Sequence, residues 1–576
     1  MKPIGRILTL LWAAALVTGC AGQLRLGGWV EGSSNASVAT IDNRYDQSTS
    51  PSRPLYQLMV AELALQRGQI STALSYYMRV AQSSRDARIA KRASYIAISA
   101  GRLREASQTA QLWGELEPDN LEVIRFIAAL LIRQGKLRQA LPYLQQIASL
   151  QSYDHAKSGY AVASTLLSRA VDKKQAFSIM GQLLVNHKDD ADTLATYSRF
   201  ALRAGDYKAA LLSVDEALAL APLRTDLVTM RSNILQMLGD TSAARDYLHD
   251  LLRAHPENVQ YRRLYARLLL NSDALKLALD QYRILEQQLP EEEEVLFSIG
   301  LLLFEFKEYD AAQAYLERLS RHGRLAQASS YYLGWIAEQK KDTDTAMQYY
   351  AAVTRGGNYI AAQIRYAALL SARGEWREMS THLSSVRTKN AAEKQTLYLA
   401  EGALLLDAGR YEAALSIYSK ALNELPGNNE VLYARAMVAE KLGYLDVLEQ
   451  DLRKILKQDP ANVDALNALG YTLADRTNRY SEAHDFLVSA LRIQPNSYYV
   501  IDSMGWLQYR MGNYDDALKY LRRALEIEND TEIKAHLIEV LWAMGEQEKA
   551  RSEWAKAIKD TPDSEVLRDV MRQIEK

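Results

Sequence analysis

The residues of this chain best suited to chemistry are one cysteine, eight histidines and the acidic run Glu291–Glu294. The histidines are scattered, with no His-Glu-x-x-His motif and no pair four residues apart, which favours surface or interhelix roles over metal binding. The acidic run directly follows Pro290, where negative charge stabilises the start of a helix. No Gly-x-Ser-x-Gly elbow, phosphate-binding loop or dinucleotide fingerprint occurs. The sequence therefore predicts a protein that is not an enzyme and holds neither cofactor nor metal.

The composition disfavours several further classes. The 576 residues include 69 Lys and Arg against 70 Asp and Glu, so there is no basic excess of the kind that binds nucleic acid. Hydrophobic residues make up 48% and charged residues 24%, as in globular proteins rather than disordered or polytopic membrane proteins. The single cysteine, Cys20, can form neither an internal disulfide nor a multi-thiolate metal site.

Cys20 closes an amino-terminal segment with a distinct pattern. A positively charged start precedes the apolar run Ile7–Leu16, which is shorter than the about 20 residues of a membrane-spanning helix but suits a secretory signal. The small residue Gly19 before the cysteine resembles the lipobox of bacterial lipoproteins. This resemblance implies a lipoprotein signal peptide at residues 1–19, acylation of Cys20 and, because Ala21 is not the aspartate of inner-membrane retention, an outer-membrane anchor. A plain cleavable signal with an incidental cysteine is the alternative.

Residues 20–52 combine that lipidated cysteine with a stretch rich in Gly, Ser, Thr, Asn and Asp. Such a composition predicts a flexible tether with a root-mean-square span of roughly 30 Å. The folded body is then expected to stand off the outer membrane, in the periplasm. Packing of Leu24–Val30 along the body is the alternative for part of this segment.

The remainder of the chain keeps a period of 34 residues. Pro222, Pro256 and Pro290 follow one another at this spacing, as do Pro426 and Pro460. Alanines recur at 33 to 36 residues through most of the same stretch: Ala73, Ala106, Ala140, Ala176, Ala210, Ala244, Ala278, Ala312 and Ala346, then Ala414, Ala483, Ala517 and Ala550. A period of this length indicates a repeat architecture.

Two antiparallel helices per repeat explain the pattern. A small residue twelve positions before nearly every one of these alanines lets two helices approach closely. A glycine often found five positions before them, with Gly443 in the same phase, suits the left-handed end of the first helix. Proline then stops the second helix. The pattern resembles the tetratricopeptide repeat. Its clearest copy comprises Leu466, Leu469, Gly470, Ala483, Leu487 and Pro495.

The resemblance implies an all-α fold, a tetratricopeptide-repeat solenoid in which antiparallel helix pairs form a superhelix. In register, about fifteen helix pairs occupy residues 53–563, and a C-terminal capping helix occupies residues 564–576.

In such folds the first helices line a concave face, so the resemblance also points to candidate binding residues. In the early and middle repeats these are arginines: Arg125, Arg133, Arg199, Arg203, Arg263, Arg267, Arg365 and Arg373. In the later repeats they are aromatic: Phe297, Phe304, Tyr331, Trp335, Tyr433, Tyr471, Tyr499, Trp506, Tyr509 and Trp542. Guanidinium forks suit carboxylates, and aromatic rings offer large contact area, which predicts a groove for an extended polypeptide with acidic and apolar side chains. Packing of these rings between helices is the alternative.

A lipidated cysteine, a tether and an uninterrupted repeat array together resemble the outer-membrane lipoprotein adaptors of periplasmic carboxyl-terminal processing proteases. This resemblance implies a non-catalytic scaffold that binds such a serine protease and presents protein substrates, such as peptidoglycan cross-link hydrolases. The main alternative is a scaffold lipoprotein for exopolysaccharide export or outer-membrane assembly. A cell-wall glycosidase would need paired carboxylates in one pocket, and no segment outside the repeats is large enough to supply a catalytic domain.

Overall fold

A computed structural model of the protein describes residues 54–150, 158–185, 188–321 and 323–574. In these residues every regular element is an α-helix, and thirty-one helices follow one another along the chain. The all-α fold of paired helices expected from the sequence is confirmed. The predictions for the signal peptide, Cys20 and the tether fall on residues that lie outside the described ones.

The helices form two compact units, which divide between Asp206 and Tyr207. The first unit contains α1 (Pro54–Gln66), α2 (Ile70–Ser84), α3 (Ala87–Ser99), α4 (Leu103–Leu116), α5 (Leu121–Arg133), α6 (Leu137–Ala148), α7 (Gly159–Leu167), α8 (Lys173–Leu184) and α9 (Ala191–Ala204).

The second unit contains the remaining helices. It begins with α10 (Tyr207–Leu220), α11 (Thr225–Met237), α12 (Thr241–Ala254), α13 (Val259–Asn271), α14 (Leu275–Gln288), α15 (Glu293–Glu305), α16 (Tyr309–Ser320), α17 (Ala326–Gln339), α18 (Thr343–Ala352), α19 (Tyr359–Ala372) and α20 (Trp376–Ser385). It continues with α21 (Ala391–Asp407), α22 (Tyr411–Glu424), α23 (Asn429–Leu442), α24 (Leu445–Gln458), α25 (Val463–Arg476), α26 (Tyr480–Ile493), α27 (Tyr498–Arg510), α28 (Tyr514–Ile527), α29 (Thr531–Ala543), α30 (Gln547–Asp560) and α31 (Glu565–Ile574).

Close approach within each pair depends on small residues. The repeated alanine of the second helix has no exposed surface, as at Ala346 and Ala483. On the first helix, a Cβ added to Gly334 would lie 2.6 Å from the ring of Tyr350, and one added to Gly470 would lie 2.7 Å from Leu487. Real side chains do not tolerate these separations, so the glycines set the distance between the two helices of a pair.

The turns between the helices of a pair also follow the sequence prediction. The nine predicted glycines all have a positive φ: Gly68, Gly101, Gly135, Gly205, Gly239, Gly409, Gly443, Gly512 and Gly545. In three successive repeats another residue takes the same position, and Asp273, Lys307 and Lys341 have φ of 59°, 62° and 61°. A side chain in this left-handed region costs free energy that glycine does not.

Within each unit, first helices of successive pairs, which are odd-numbered helices, pack side by side. In the first unit α7 contacts both α5 and α9. In the second unit α21 contacts α19 and α23, and α27 contacts α25 and α29. We call these helices the first-helix layer. At its carboxyl-terminal end α31 packs on α29 and buries Leu567, Val570 and Met571, so the apolar core is covered there.

Candidate functional site

The arginines predicted to bind a partner in the first unit lie on two helices of the first-helix layer. Arg125 and Arg133 are on α5, Arg199 and Arg203 are on α9, and all four side chains are exposed. Arg199 donates from Nη2 to the hydroxyl of Thr196 at 3.1 Å. These guanidinium groups are therefore displayed at the surface of this unit.

Aromatic rings accompany Arg125 in the first unit. The ring of Tyr95 lies 5.2 Å from Phe126 in an edge-on arrangement, and Phe126 lies 6.0 Å from Trp113. Burial and the hydrogen bond from the Tyr95 hydroxyl to Glu122 raise the pKa of Tyr95 to about 12, although the nearby charge of Arg125 opposes this. This surface therefore combines a cation with partly exposed rings.

The predicted arginines of the second unit begin on α13. Arg263 Nη1 lies 3.4 Å from carboxylate oxygens of Glu292 and of Glu294, at the start of α15. The acidic run after Pro290 therefore begins a helix, as predicted, and also neutralises an arginine of the preceding repeat. Arg267, one turn further along α13, is half-buried.

Four predicted residues of the second unit come together in one place, which we call the central cluster: Phe304, Tyr331, Trp335 and Arg365. The ring of Phe304 lies 5.1 Å from Trp335 in an edge-on arrangement, and Tyr331 lies 6.1 Å from Trp335. Phe304 is buried, whereas Trp335 and Tyr331 retain partial exposure. The cluster spans three successive first helices, α15, α17 and α19.

Arg365 holds the central cluster together by polar bonds. Its Cζ lies 4.6 Å from the ring centre of Trp335. Its Nε and Nη2 donate to the two carboxylate oxygens of Glu338 at 3.0 and 2.7 Å, and Nε also donates to the hydroxyl of Tyr350 at 2.9 Å. The sequence predicted that this guanidinium would bind a carboxylate of a partner. In the structure it already binds the carboxylate of Glu338 from the same chain. Arg373 likewise pairs with Asp344.

Two more predicted residues, Trp506 and Tyr509, lie 4.9 Å apart on α27. The ring of Trp506 lies 4.3 Å from that of His536 on α29, tilted by 31°, and its Nε1 donates to Asp475 Oδ1 of α25 at 3.0 Å. Arg510 donates to the same carboxylate oxygen at 2.9 Å. These helices are therefore joined by hydrogen bonds as well as by apolar packing.

His536 and Asp502 form a buried pair in this region. The Nδ1 atom of His536 lies 2.9 Å from Asp502 Oδ1, and both side chains are about nine-tenths buried. Burial opposes the charging of His536, but the hydrogen bond and charge of Asp502 outweigh it and leave the pKa raised. The pair therefore favours an imidazolium bound to a carboxylate.

Two further predicted residues, Tyr499 and Tyr433, lie on α27 and α23. Tyr499, at the start of α27, donates its hydroxyl to Asp464 Oδ1 of α25 at 3.1 Å. Tyr433 on α23 is half-buried and packs against the apolar core. Burial and the charge of Asp464 raise the pKa of Tyr433.

Sequence reasoning named the arginines and rings but missed their polar partners, Glu338, Asp475, Asp502 and His536. One signal was available, because Asp502 and His536 are 34 residues apart and so occupy equivalent positions in adjacent repeats. The partners of Arg365 and Trp506 lie 27 and 31 residues away, at spacings that the repeat period does not mark.

Two other kinds of feature, a metal site and a membrane-spanning helix, are absent from the described residues. No three His, Cys, Asp or Glu side chains converge in these residues as metal ligands do. Among the helices of the described part of the chain, none is both long and apolar enough to span a bilayer.

Comparisons with known proteins point to one architecture. Models of the tetratricopeptide repeat family match residues 297–360, and also residues 201–268 and 508–574. A TPR repeat-containing protein of Pseudomonas aeruginosa is 35% identical over 488 residues, which cover 84% of this chain and 81% of that protein. A human protein O-mannosyl-transferase is 25% identical over 195 residues, covering 33% of this chain and 22% of the transferase.

Two solved structures align with parts of the chain. A thermophilic TPR protein of Thermus thermophilus is 27% identical and aligns with 31% of this chain and 96% of its own, at a TM-score of 0.29. A chain of the Cut9–Hcn1 hetero-tetramer of the APC/C is 14% identical and aligns with 91% of this chain and 97% of its own, at a TM-score of 0.31.

Proposed function

Since the chain belongs to the tetratricopeptide-repeat proteins, we propose that it is a non-catalytic scaffold that binds other polypeptides along its first-helix layer. The fold is suited to protein–protein interaction, because stacked repeats present an extended surface. The observation that carries the proposal is the central cluster, where Trp335 and Tyr331 remain partly exposed on a rigid framework held by Arg365. Exposed aromatic anchors on a rigid support are typical of binding hot spots.

The location that we propose is the outer membrane, with the body in the periplasm. It is supported by the lipobox resemblance at Cys20 and by the composition of residues 20–52. Several acyl chains on one cysteine give stable anchoring, whereas a single chain gives only marginal binding. Replacement by Cys20→Ser is expected to abolish labelling with a palmitate analogue and to shift the chain from the membrane to a soluble fraction. A chain that stays lipid-labelled after this replacement would contradict the anchor.

The partner that we propose is a periplasmic carboxyl-terminal processing serine protease, to which the scaffold presents protein substrates such as peptidoglycan cross-link hydrolases. The support is the combination of lipobox, tether and long repeat array, which is shared with adaptors of that kind. A scaffold has no need of catalytic residues of its own. Activity of the purified chain alone on wall fragments would therefore contradict the non-catalytic part of the proposal.

The deciding experiment is affinity purification of the mature, lipidated chain from detergent-solubilised membranes, followed by mass spectrometry. Recovery of a PDZ-type serine protease is the expected result. Recovery of only export or assembly components of the outer membrane would contradict the protease and support the alternative scaffold role.

Point variants then locate the binding surface. Trp335→Ala combined with Trp506→Ala is expected to weaken recovery of the partner, because both indoles belong to the first-helix layer. The control is Trp376→Ala combined with Trp554→Ala, two half-buried tryptophans on second helices. Circular dichroism of both double variants checks that they fold, because Trp506 is buried, with 7% of its surface exposed. Equal recovery with both double variants would show that the first-helix layer is not the binding surface.

A further inference from the structure

The carboxyl-terminal part of the first-helix layer is aromatic and only partly covered. Four tyrosines on α23, α25 and α27 are half-buried there: Tyr433, Tyr471, Tyr499 and Tyr509. We call these rings, with the polar side chains beside them on α23, α25, α27 and α29, the C-terminal face. Rings that keep part of their surface in water are available for contact with a partner.

Negative charge converges on this face. Tyr471 lies at its centre, 6.3 Å from the ring of His536. Burial raises the pKa of Tyr471, and carboxylates from four different helices raise it further: Asp475, Asp502, Glu532 and Glu440. Glu440 and Asp464 act on Tyr433 in the same direction. The rings of the C-terminal face therefore lie in a field of negative charge.

Nearer the middle of the unit, the carboxylates of the first-helix layer are paired with arginines. There, Glu292 and Glu294 share Arg263, Glu338 takes both nitrogens of the Arg365 fork, and Asp344 pairs with Arg373. Those carboxylates already have the cation that their charge favours. A partner's cation gains little by approaching them, because it must displace an ion pair.

On the C-terminal face, by contrast, several carboxylates share one cation, because the imidazolium of His536 binds Asp502 and also interacts with Glu532 and Glu539. Asp475 binds Arg510 and Asp502 binds His536. Glu440, Glu532 and Glu539 have no side-chain hydrogen bond or ion pair to any described residue. Glu539 is half-buried, and its burial raises its pKa, which shows that its negative charge is poorly solvated there. A cation supplied from outside stabilises such a group more than it stabilises a fully hydrated one.

We propose that the C-terminal face binds a basic segment of a partner polypeptide, whose lysine or arginine side chains lie along the tyrosine rings with their charges beside Glu440, Glu532 and Glu539. The proposal rests on the scaffold function proposed above and specifies the chemistry of what this part of it binds. Aromatic rings and carboxylates together attract cations, through the ring quadrupole and through direct charge. A partner of acidic and apolar composition, expected from the sequence for the whole layer, fits this face poorly.

The repeat geometry also predicts the spacing of the basic residues. Neighbouring packed helices lie about 8–10 Å apart. A polyproline II segment advances about 3.1 Å per residue with three residues per turn, so side chains three residues apart lie on one face and reach successive first helices. The preferred ligand is therefore a segment with a basic residue at roughly every third position.

The test uses the mature full-length chain and three fluorescein-labelled peptides that differ only at every third residue, which is Lys, Gln or Glu. Fluorescence anisotropy is expected to show at least tenfold tighter binding of the Lys peptide than of the Gln peptide, with the difference shrinking as salt is added. Glu440→Gln, Glu532→Gln and Glu539→Gln combined are expected to remove that preference. Equal binding of the Lys and Glu peptides, or an unchanged preference in this triple variant, would overturn the proposal.

A matched control carries the same change in net charge elsewhere. Glu412→Gln, Glu526→Gln and Glu548→Gln remove three exposed carboxylates from the second helices α22, α28 and α30 and are expected to leave the preference intact. Loss of the preference in this control too would show attraction by net charge alone and overturn the proposal. Circular dichroism of both triple variants verifies that they are folded.

The failure of this inference differs from the failure of the scaffold function. If purification recovers a protein partner that the wild-type chain and the C-terminal-face variant bind equally, with no peptide preference, the scaffold stands and the inference falls. If no partner is recovered but the Lys preference depends on the three glutamates, the scaffold function falls and the chemistry of the face stands.

Discussion

The guanidinium of Arg365 lies over the indole of Trp335, with Cζ 4.6 Å from the ring centre, while its Nε and Nη2 donate to the two carboxylate oxygens of Glu338. The three residues come from two successive first helices, α17 and α19. The same guanidinium makes both the contact with the ring and the bidentate ion pair. One side chain therefore sets the distance between two repeats and also holds Trp335 in place.

Replacing this guanidinium by an ammonium tests that coupling. Arg365→Lys keeps the charge but loses the planar fork, so we expect the local opening free energy of α17 and α19 to fall by about 1–2 kcal/mol. Hydrogen exchange of the amides in these helices, followed by mass spectrometry, measures the change. The exposed Arg355→Lys, in the loop before α19, is the control and is expected to leave exchange unaltered. Identical exchange in the two variants would contradict the role assigned to Arg365.

Close packing within a helix pair gives a second prediction. In Gly334→Ala the new Cβ would lie 2.6 Å from the ring of Tyr350, which is fully buried and cannot easily retreat. We expect a loss of about 1–3 kcal/mol in stability, as for overpacked cores. Thermal unfolding followed by circular dichroism reports it. Gly357→Ala is the control, because nothing lies within 4 Å of its Cβ position, and a comparable loss there would refute the packing argument.

The sequence predicted the helix pairs because their pattern depends on contacts within one repeat. Gly334 faces Tyr350 and Gly470 faces Leu487, and each of these contacts recurs with the period of 34 residues. Small residues are required wherever two helices touch so closely. This requirement acts within one repeat, so a single sequence is enough to predict the helix pairs.

The polar partners in the first-helix layer follow no such rule. Trp506 binds Asp475 across 31 residues, whereas Asp502 binds His536 across 34 residues. Which side chains meet across neighbouring repeats depends on how far one helix is shifted and rotated against the next. The repeat pattern does not encode that displacement. It therefore predicted which residues lie on the first helices but not which polar side chains they bind.

The turns predict a stabilising replacement. Lys341 occupies the position that glycine fills in other repeats and has a φ of 61°. Lys341→Gly relieves this strain and is expected to raise stability by about 0.5–1 kcal/mol, after the greater freedom of glycine in the unfolded chain is counted. Its neighbour Lys340 has a φ of −81°, so Lys340→Gly relieves no backbone strain and is expected to lower stability. The two thermal midpoints, compared with that of the wild type, check the sign; a lower midpoint for Lys341→Gly would contradict it.

Two histidines of the second unit, the buried His536 and the half-buried His382, are expected to have pKa values shifted in opposite directions from the ordinary value of 6.5. His536 contacts the ring of Trp506, binds Asp502 and lies near Glu532 and Glu539, and these carboxylates raise its pKa despite burial. His382 lies 4.5 Å from the ring of Tyr366, and burial lowers its pKa. Charge on His536 therefore stabilises the fold, whereas charge on His382 destabilises it.

The pH dependence of stability follows from these directions. The stabilisation from His536 is fully present below the unfolded pKa of 6.5 and is lost as pH rises through its higher folded pKa. The loss of stability in His536→Gln relative to the wild type is therefore expected to shrink as pH rises above 6.5. His382 has the opposite effect on stability. Its folded pKa is lowered, so the unfolded chain binds a proton at a pH where the folded chain does not, and stability falls as pH drops through 6.5.

NMR titration of a chain with ¹³C-labelled histidine measures both midpoints directly. Asp502→Asn leaves His536 buried but removes the carboxylate that binds it, so its midpoint is expected to fall below that of the wild type while that of His382 stays unchanged. An unchanged His536 midpoint in this variant would show that Asp502 does not hold the proton.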